Sequence, residues 1–537
     1  MKRATVADLL ATRFDVIVIG GGINGAAIAR DAAMRGMTVA LLERDDLASG
    51  TSAWSSRLIH GGLRYLEHGE IGLVRESLLE RERLLHNAPH LVTPLPTLLP
   101  VYRGARRGPR VIRAGMIAYD ALSLHKSMPR HHLLGREAVL EEIPDLNADG
   151  LRGGARYFDA QATWPERLVI ENAESAWRHG ALVGTRYAVI AITADGAVTT
   201  GVRVRDQVSG EEFSVRGRIV INVAGPWVDA VMLGGGTAGV RSRLIGGTKG
   251  SHLAVSRWAG APGDAVYFEA KHDGRPILVI PWHGMILIGS TDLRFESDLD
   301  DISATDDEIA YLLDEVNHLF RGRSLTPDDV RFSYAGVRPL PFTRGGSTAS
   351  ITRRHVIHEH APQRRGLYSI VGGKLTTHRS LAEETVNRVV VALGREARSS
   401  TQAAPLPNAP DGTLPELRSA MEADQPTIRV SAEDRTRLIS VYGAAALDIV
   451  RSAREAPEST SLLRAEVRHA VESEIALSLT DLLMRRMMTG FDWLSGDPRI
   501  EEAAETMGAV LGWTPDEIQR QIADHVHWTR RLRPHPA

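Results

Sequence analysis

The stretch FDVIVIGGGINGAAIARDAAMRGMTVALLE, residues 14–43, constrains the fold more than any other part of the chain. Val16–Ile19 is a short apolar, β-branched run, suited to a strand buried on both faces. Gly20, Gly22 and Gly25 follow in G-x-G-x-x-G spacing. Ala26 to Met34 have helix-forming composition, and Gly36 stops that helix. Thr38–Leu42 is a second apolar strand, ended by Glu43. A glycine triplet alone says little. Between a strand and a helix, with a carboxylate about 20 residues on, it specifies a dinucleotide fold. The glycines allow a tight turn and close backbone approach. The helix N-terminus faces a pyrophosphate, and the carboxylate accepts from ribose hydroxyls. An acidic Glu43 also argues against a 2′-phosphate, and so against NADP.

NAD and FAD share this fingerprint, and two later segments favour FAD. GRIVINVAGPWVDA (217–230) is a strand followed by a Gly-Pro turn that includes Gly225. GLYSIVGGKLTTHRSLAEETVNRVV (366–390) is a strand, a Gly372-Gly373 turn and a helix. That helix N-terminus can point its positive dipole end at a developing flavin anion. Glycine turns so far apart imply one nucleotide domain assembled from distant segments.

Composition limits the alternatives. The chain has 537 residues, which predicts two to four domains. A net charge of -2 leaves no global basic field for nucleic acid. Cysteine is absent, which removes disulfides, Fe–S clusters and thiol catalysis and fits a cytoplasmic setting. MKRATVADLLATRFD lacks the apolar core of a signal peptide, and there is no apolar run of about 18 residues or more.

Elsewhere the pattern places the remaining elements. Alternation over 181–216, with an Asp195-Gly196 hairpin signal, and over 276–292 predicts antiparallel pairs in the floor of a substrate domain. DDEIAYLLDEVNHLF (306–320) is an amphipathic helix. Residues 399–415, rich in Pro and small polar residues, form a linker, and helical patterns run from there to the end. The last of these opens with a capping box, Thr514, Pro515 and Glu517. Residues 106–130 intersperse Arg106, Arg107, Arg110, Arg113, Lys126 and Arg130 with Val111, Ile112, Met116, Ile117, Leu122 and Leu124, as an interfacial helix does. His355, His358 and His360 lie close together, but extended spacing puts 355 and 358 on opposite faces, so no metal is expected.

SSRLIHGGLRYLEHGE (55–70) carries Arg64 and Tyr65 beside a Gly61-Gly62 pair. With IGGGINGAAIARDAAMRG, VAGPWVD, GTKGSHLAV, IPWHG, IGSTD, YAGVRPL, ITRRH and VGGKLTTHRSLAE, in this order over residues 14–390, it resembles the FAD-dependent, membrane-associated glycerol-3-phosphate dehydrogenases. The resemblance implies a Rossmann-like α/β FAD-binding domain built from segments 14–95, 155–245 and 355–395. A mixed-sheet substrate domain (96–154 and 246–354) is inserted in it, and an all-helical domain (401–537) follows. It implies Gly20, Gly22, Asn24, Gly25, Glu43, Ser55, Ser56, Leu58, His60, Gly225, Gly372, Gly373, Leu375 and Thr376 against FAD. Arg64, Tyr65, Arg353 and Lys374 would bind substrate. A glycerol phosphate is a small dianion, and several cations, Arg above all, suit it.

The implied reaction oxidises sn-glycerol 3-phosphate to dihydroxyacetone phosphate, with the C2 hydride passing to FAD. A histidine suits the base that takes the C2 hydroxyl proton. His252 is the expected base, with His60 its competitor, and Arg338 stabilises developing oxyanion character. The implied partners are a membrane quinone and the cytoplasmic membrane surface, with a homodimer as one assembly. Alternatives on the same scaffold are an oxidase using oxygen, an oxidase of another hydroxy or amino acid, and a flavin-binding redox sensor without turnover.

Overall fold

The computed structural model describes residues 1–67, 69–105, 107–123, 126–234, 243–346, 348, 351–423, 430–455, 462–493 and 496–532, less the side chains of Arg64, Glu67, Arg454 and Glu455. The strand Arg13–Ile19 sits inside an eight-stranded sheet. From one edge this sheet runs Val356–Glu359, Leu367–Val371, Glu212–Asn222, Arg13–Ile19, Val39–Leu42 and Leu182–Gly184. Four successive pairings from Leu367–Val371 to Leu182–Gly184 are parallel. Parallel strands need helices over their faces, which explains the unbroken apolar run Val16–Ile19. The helix Ile23–Met34 packs between Pro165–Arg178 and His378–Ala392. Three distant segments thus meet in one nucleotide sheet, as the glycine turns imply.

The second sheet has ten strands. Its centre for function is Thr248–Ser256, flanked by Met285–Gly289 and Val330–Arg338. Val92–Tyr102 and Leu151–Ala162 pair along their length on the far side. The two-residue strand Leu58–Ile59 pairs with Leu151–Ala162, so the segment 55–62 carries the chain from the glycine-rich turn to the second sheet. The pair 276–282 and 285–289 lies in this sheet as expected. The hairpin 187–206 does not. It pairs with Glu212–Asn222 and extends the nucleotide sheet. Its alternating pattern reports one open face, and that pattern suits the edge of either sheet. The helix Asp306–Leu319 forms where predicted, with a complete capping box on Thr305 and Glu308.

The Pro-rich stretch 399–415 is no free tether. Arg30 donates to the carbonyls of Ala404 and Pro405 at 2.8 and 3.1 Å, and Leu406 N–H donates to Asn87 O at 2.8 Å. Proline withholds N–H groups but leaves carbonyls free to accept, so a Pro-rich segment can be pinned by a buried arginine. At Thr514 the hydroxyl accepts from Glu517 N–H at 3.2 Å. The Glu517 carboxylate turns instead to Arg520 and Gln521.

Two buried ionic contacts dock the C-terminal helices onto this body. Arg167 grips both oxygens of Glu474, at 2.5 and 2.7 Å, with both side chains out of solvent. Burial alone would raise the Glu474 carboxyl, but the Arg167 guanidinium outweighs it and holds it below the usual carboxylate range. Asp46, three residues past Glu43, accepts from Arg485 at 2.6 Å and from Arg486 at 2.7 and 2.8 Å. Glu474→Ala leaves Arg167 buried without its partner. It should lower unfolding stability by about 3–5 kcal/mol, read as a shift of the urea midpoint.

Candidate functional site

A cleft of about 1900 Å³ runs between the two sheets. Its walls include Gly20, Gly22, Asn24, Glu43, Ser55, Ser56, Leu58, His60, Tyr65, Gly225, His252, Arg338, Arg353, Gly372, Gly373, Lys374, Leu375 and Thr376. Of the expected site residues, Gly25 lies beneath the turn, and the side chain of Arg64 is outside the described residues. His68, and Arg106 and Leu124 of the basic stretch, are also outside them.

At one end the chain builds a cradle for a dinucleotide. A Cβ on Gly25 would stand 1.9 Å from the Gly20 carbonyl oxygen, so the helix can start this close to the strand only with glycine there. The Ser52 hydroxyl accepts from Ile23 N–H at 2.9 Å and fixes the helix start. The Glu43 carboxylate accepts from Gly21 N–H at 2.6 Å and from Asp45 N–H at 2.9 Å. Burial pushes its carboxyl up to about 6, against the pull of those N–H groups. The second glycine turn lies opposite, with Asn24 Nδ2 at 3.5 Å from Gly372 O. His60 N–H donates to Thr376 Oγ1 at 3.1 Å, which ties the 55–62 segment to the turn.

At the other end lie a histidine and a set of cations. His252 pairs across the sheet with Gly289 on one side and Tyr334 on the other. Its imidazole stacks on Tyr334 with ring centroids 4.9 Å apart, and Nε2 lies 2.8 Å from Ser56 Oγ. A Cβ at 289 would come within 2.3 Å of the imidazole, so glycine makes its room. Burial, with Arg338 and Arg57 nearby, lowers the His252 pKa to about 3. The ring is therefore neutral and keeps an accepting nitrogen. His60 is also lowered, by burial first.

Arg338 and Arg353 each reach one oxygen of Asp292, both at 3.2 Å. Arg338 also donates to Ser290 Oγ at 2.7 Å. Lys374 Nζ sits 3.9 Å from the centroid of the Tyr65 ring. Lys374 Nζ and Arg353 Nη1 are buried and have no hydrogen-bond partner among the described residues. Burial lowers the Lys374 pKa to about 7, with Glu70 and Glu76 opposing and Arg353 adding to the fall. Buried cationic N–H groups without an acceptor are costly, and an anion relieves the cost.

Three contributors were not singled out from sequence. Asp292 was quoted only as the end of IGSTD. Tyr334, whose hydroxyl donates to Ser55 O at 2.7 Å, opens the motif YAGVRPL, whose expected site residue is Arg338. Arg57 is fully buried against Glu166, at 3.1 Å, and lies 4.5 Å from the Trp282 ring. His355 contacts Glu384 at 2.9 Å and His360 contacts Ser369 at 2.9 Å, and the described residues hold no group suited to a metal ion.

An FAD fits this cleft. Glycines at 20 and 25 let strand and helix close into the tight turn that a dinucleotide needs, and Glu43 and the opposite Gly372-Gly373 turn line the same cleft. Residues 15–379 match the family model for FAD dependent oxidoreductases, and 377–518 match that for the C-terminal domain of alpha-glycerophosphate oxidase. The glycerol-3-phosphate dehydrogenase of a Synechocystis species is 44% identical over 96% of both chains. That of Mycobacterium leprae is 37% identical over 98% of this chain and 89% of its own. The crystal structure of the glycerol-3-phosphate dehydrogenase from Bacillus halodurans, complexed with FAD, superposes with a TM-score of 0.79 at 27% identity, covering 98% and 96% of the two chains. The site and fold define an FAD-dependent oxidoreductase. Within that class, the chain belongs to the glycerol-3-phosphate dehydrogenase family. Gly25→Ala should yield protein that purifies with little flavin, measured as the visible absorbance per mole of chain.

Proposed function

We propose that this protein oxidises sn-glycerol 3-phosphate to dihydroxyacetone phosphate, with FAD as its cofactor and a membrane quinone as the final acceptor. The observation that carries the reading is that Lys374 Nζ and Arg353 Nη1, which have no hydrogen-bond partner among the described residues, line the same cleft as a neutral, buried His252. On this reading the FAD-binding part comprises segments about 14–95, 155–245 and 355–395, the substrate part 96–154 and 246–354, and the helical part 401–537, with the limits near 95 and 155 shifted to keep the paired strands Val92–Tyr102 and Leu151–Ala162 whole in the second sheet.

Gly20, Gly22, Asn24 and Glu43 would hold the nucleotide end of FAD, and Ser55, Ser56, Leu58, His60, Gly225, Gly372, Gly373, Leu375 and Thr376 the rest. Bound there, FAD supplies the hydride acceptor. Arg353 and Lys374, with Arg64 and Tyr65, bind the phosphate dianion, and Arg353 can pair with two of its oxygens. His252 Nε2 takes the proton from the C2 hydroxyl, whose oxygen takes the position that Ser56 Oγ holds here, 2.8 Å from Nε2. Arg338 faces the oxygen on which charge develops, and Ser290 and Asp292 fix its guanidinium. A substrate dianion beside the ring raises the His252 pKa once bound, so the base strengthens when it is needed.

Support for a membrane surface comes from the helix Pro109–Leu122. Ile112, Met116 and Tyr119 face inward, while Val111 and Ile117 stay 62% and 53% exposed beside Arg110 and Arg113. Such a face suits an anionic interface on the cytoplasmic side. No helix of the described residues is long and apolar enough to cross a membrane.

Steady-state kinetics with sn-glycerol 3-phosphate and a soluble quinone test the reading. His252→Ala should cut kcat about 10²–10⁴-fold with KM little changed. A rise in KM with kcat intact would remove His252 from the proton transfer. The Lys374 pKa, lowered to about 7, gives a second expectation. Below that pH the ammonium is present to pair with phosphate, and above it the charge is lost. The kcat/KM profile should fall as pH rises through about 7. In Lys374→Arg the fall should move well upward, because guanidinium keeps its proton.

A further inference from the structure

The cofactor cleft is not closed by the two sheets alone. Thr480, Asp481 and Arg485 line it from one C-terminal segment, and Gln521, Trp528 and Arg531 from another. Both belong to the helical part that sequence patterns leave without a chemical role.

The first segment is fastened directly beyond Glu43. Asp46 is buried between Arg485 and Arg486. Asp481 accepts from Arg186 at 2.7 and 2.8 Å, and Arg186 N–H donates to Asp45 O at 2.8 Å. Tyr187 N–H in turn donates to Glu43 O at 2.8 Å. The charge network therefore grips the backbone that carries the ribose-reading carboxylate. Leu479 N–H donates to Gln521 Oε1 at 3.2 Å and links this segment to the helix Pro515–Thr529.

That helix reaches the middle of the cleft. Trp528 lies with its ring centroid 6.0 Å from Trp54, and Trp54 lies 5.5 Å from Tyr334, the residue stacked on His252. The turn after it, Arg530–Leu532, packs on the strand Val330–Arg338. The glycine turn and Glu43 would hold the cofactor from one side with no help from these residues. What the C-terminal residues add is a cover on the other side, made of a half-buried Trp and Gln that face open cleft.

We propose that the helix Pro515–Thr529 and the segment 478–485 form the outer wall of the cofactor cleft, and that this wall slows the release of FAD. The inference rests on the reading of the cleft as an FAD site. A closed wall must swing away, or lose its contacts, before a nucleotide gripped at Glu43 can leave. The residues at the wall therefore govern residence time, while Lys374, Arg353 and His252 govern turnover.

The test uses the full-length holoenzyme. Wild type, Trp528→Ala and Gln521→Ala are loaded with FAD and diluted, and the rise of free-flavin fluorescence is followed. Trp528→Ala should release FAD roughly tenfold faster than wild type, since a lost ring contact of this kind is worth about one decade. Gln521→Ala should be about threefold faster, because it loses the hydrogen bond from Leu479 N–H that ties the two wall segments together; its other bond, to Glu517, lies within its own helix. In both, flavin still bound should be reduced by sn-glycerol 3-phosphate to the same extent as in wild type. Release within twofold of wild type in every variant that folds overturns the inference, and if Trp528→Ala does not fold, Gln521→Ala decides alone. Wild-type protein that takes up no FAD overturns the reading of the cleft and this inference with it. Wild type that holds FAD beside variants that release it no faster overturns the inference only.

Discussion

Arg338 and Arg353 share the carboxylate of Asp292, each at 3.2 Å, while Lys374 lies over the Tyr65 ring with no hydrogen-bond partner among the described residues. Two like charges 4 Å apart repel by about 4 kcal/mol at the effective dielectric of a protein surface, and more when buried. Three cations facing one cleft are therefore an expensive arrangement, and Asp292 offsets only part of it. The substrate sheet makes the arrangement possible. Arg338 ends a strand paired along most of its length with Thr248–Ser256, so neither can move without breaking that ladder. A dianion entering the cleft gains what the empty site lacks, and binding is selective for charge before it is selective for shape.

The same field sets the state of His252. Burial and the nearby cations hold it neutral, with the imidazole fixed between Tyr334 and Ser56. A protonated ring could not accept a proton, and an exposed ring would not hold its geometry. Burial does most to keep the base unprotonated, and Arg338 and Arg57 add to it. Arg57, buried with Glu166 among aromatic rings, contributes to this from behind the site.

Much of this was legible in the sequence, for identifiable reasons. The glycine turns at 20–25 and 372–373 and the carboxylate at 43 are local patterns whose chemistry is fixed by backbone geometry. Tyr65, Arg353, Lys374, His252 and Arg338 were reached through resemblance, and they meet in one cleft. Asp292 and Tyr334 were missed because a residue that orients another leaves no local pattern. The hairpin 187–206 was assigned to the wrong sheet, since alternation reports an exposed face and not which sheet owns it. The stretch 399–415 reads as a linker by composition, yet Arg30 and Asn87 pin it. Those partners are more than 300 residues away in the chain, beyond any local reading.

The central claim is that this cleft brings a flavin and a glycerol phosphate together for hydride transfer. Its most direct test is anaerobic. The FAD-loaded protein is mixed with sn-glycerol 3-phosphate in the absence of oxygen, and the flavin absorbance is followed. The account predicts rapid bleaching by this substrate and not by glycerol, which lacks the dianion. Flavin that stays oxidised with sn-glycerol 3-phosphate, or bleaches equally with glycerol, would contradict it.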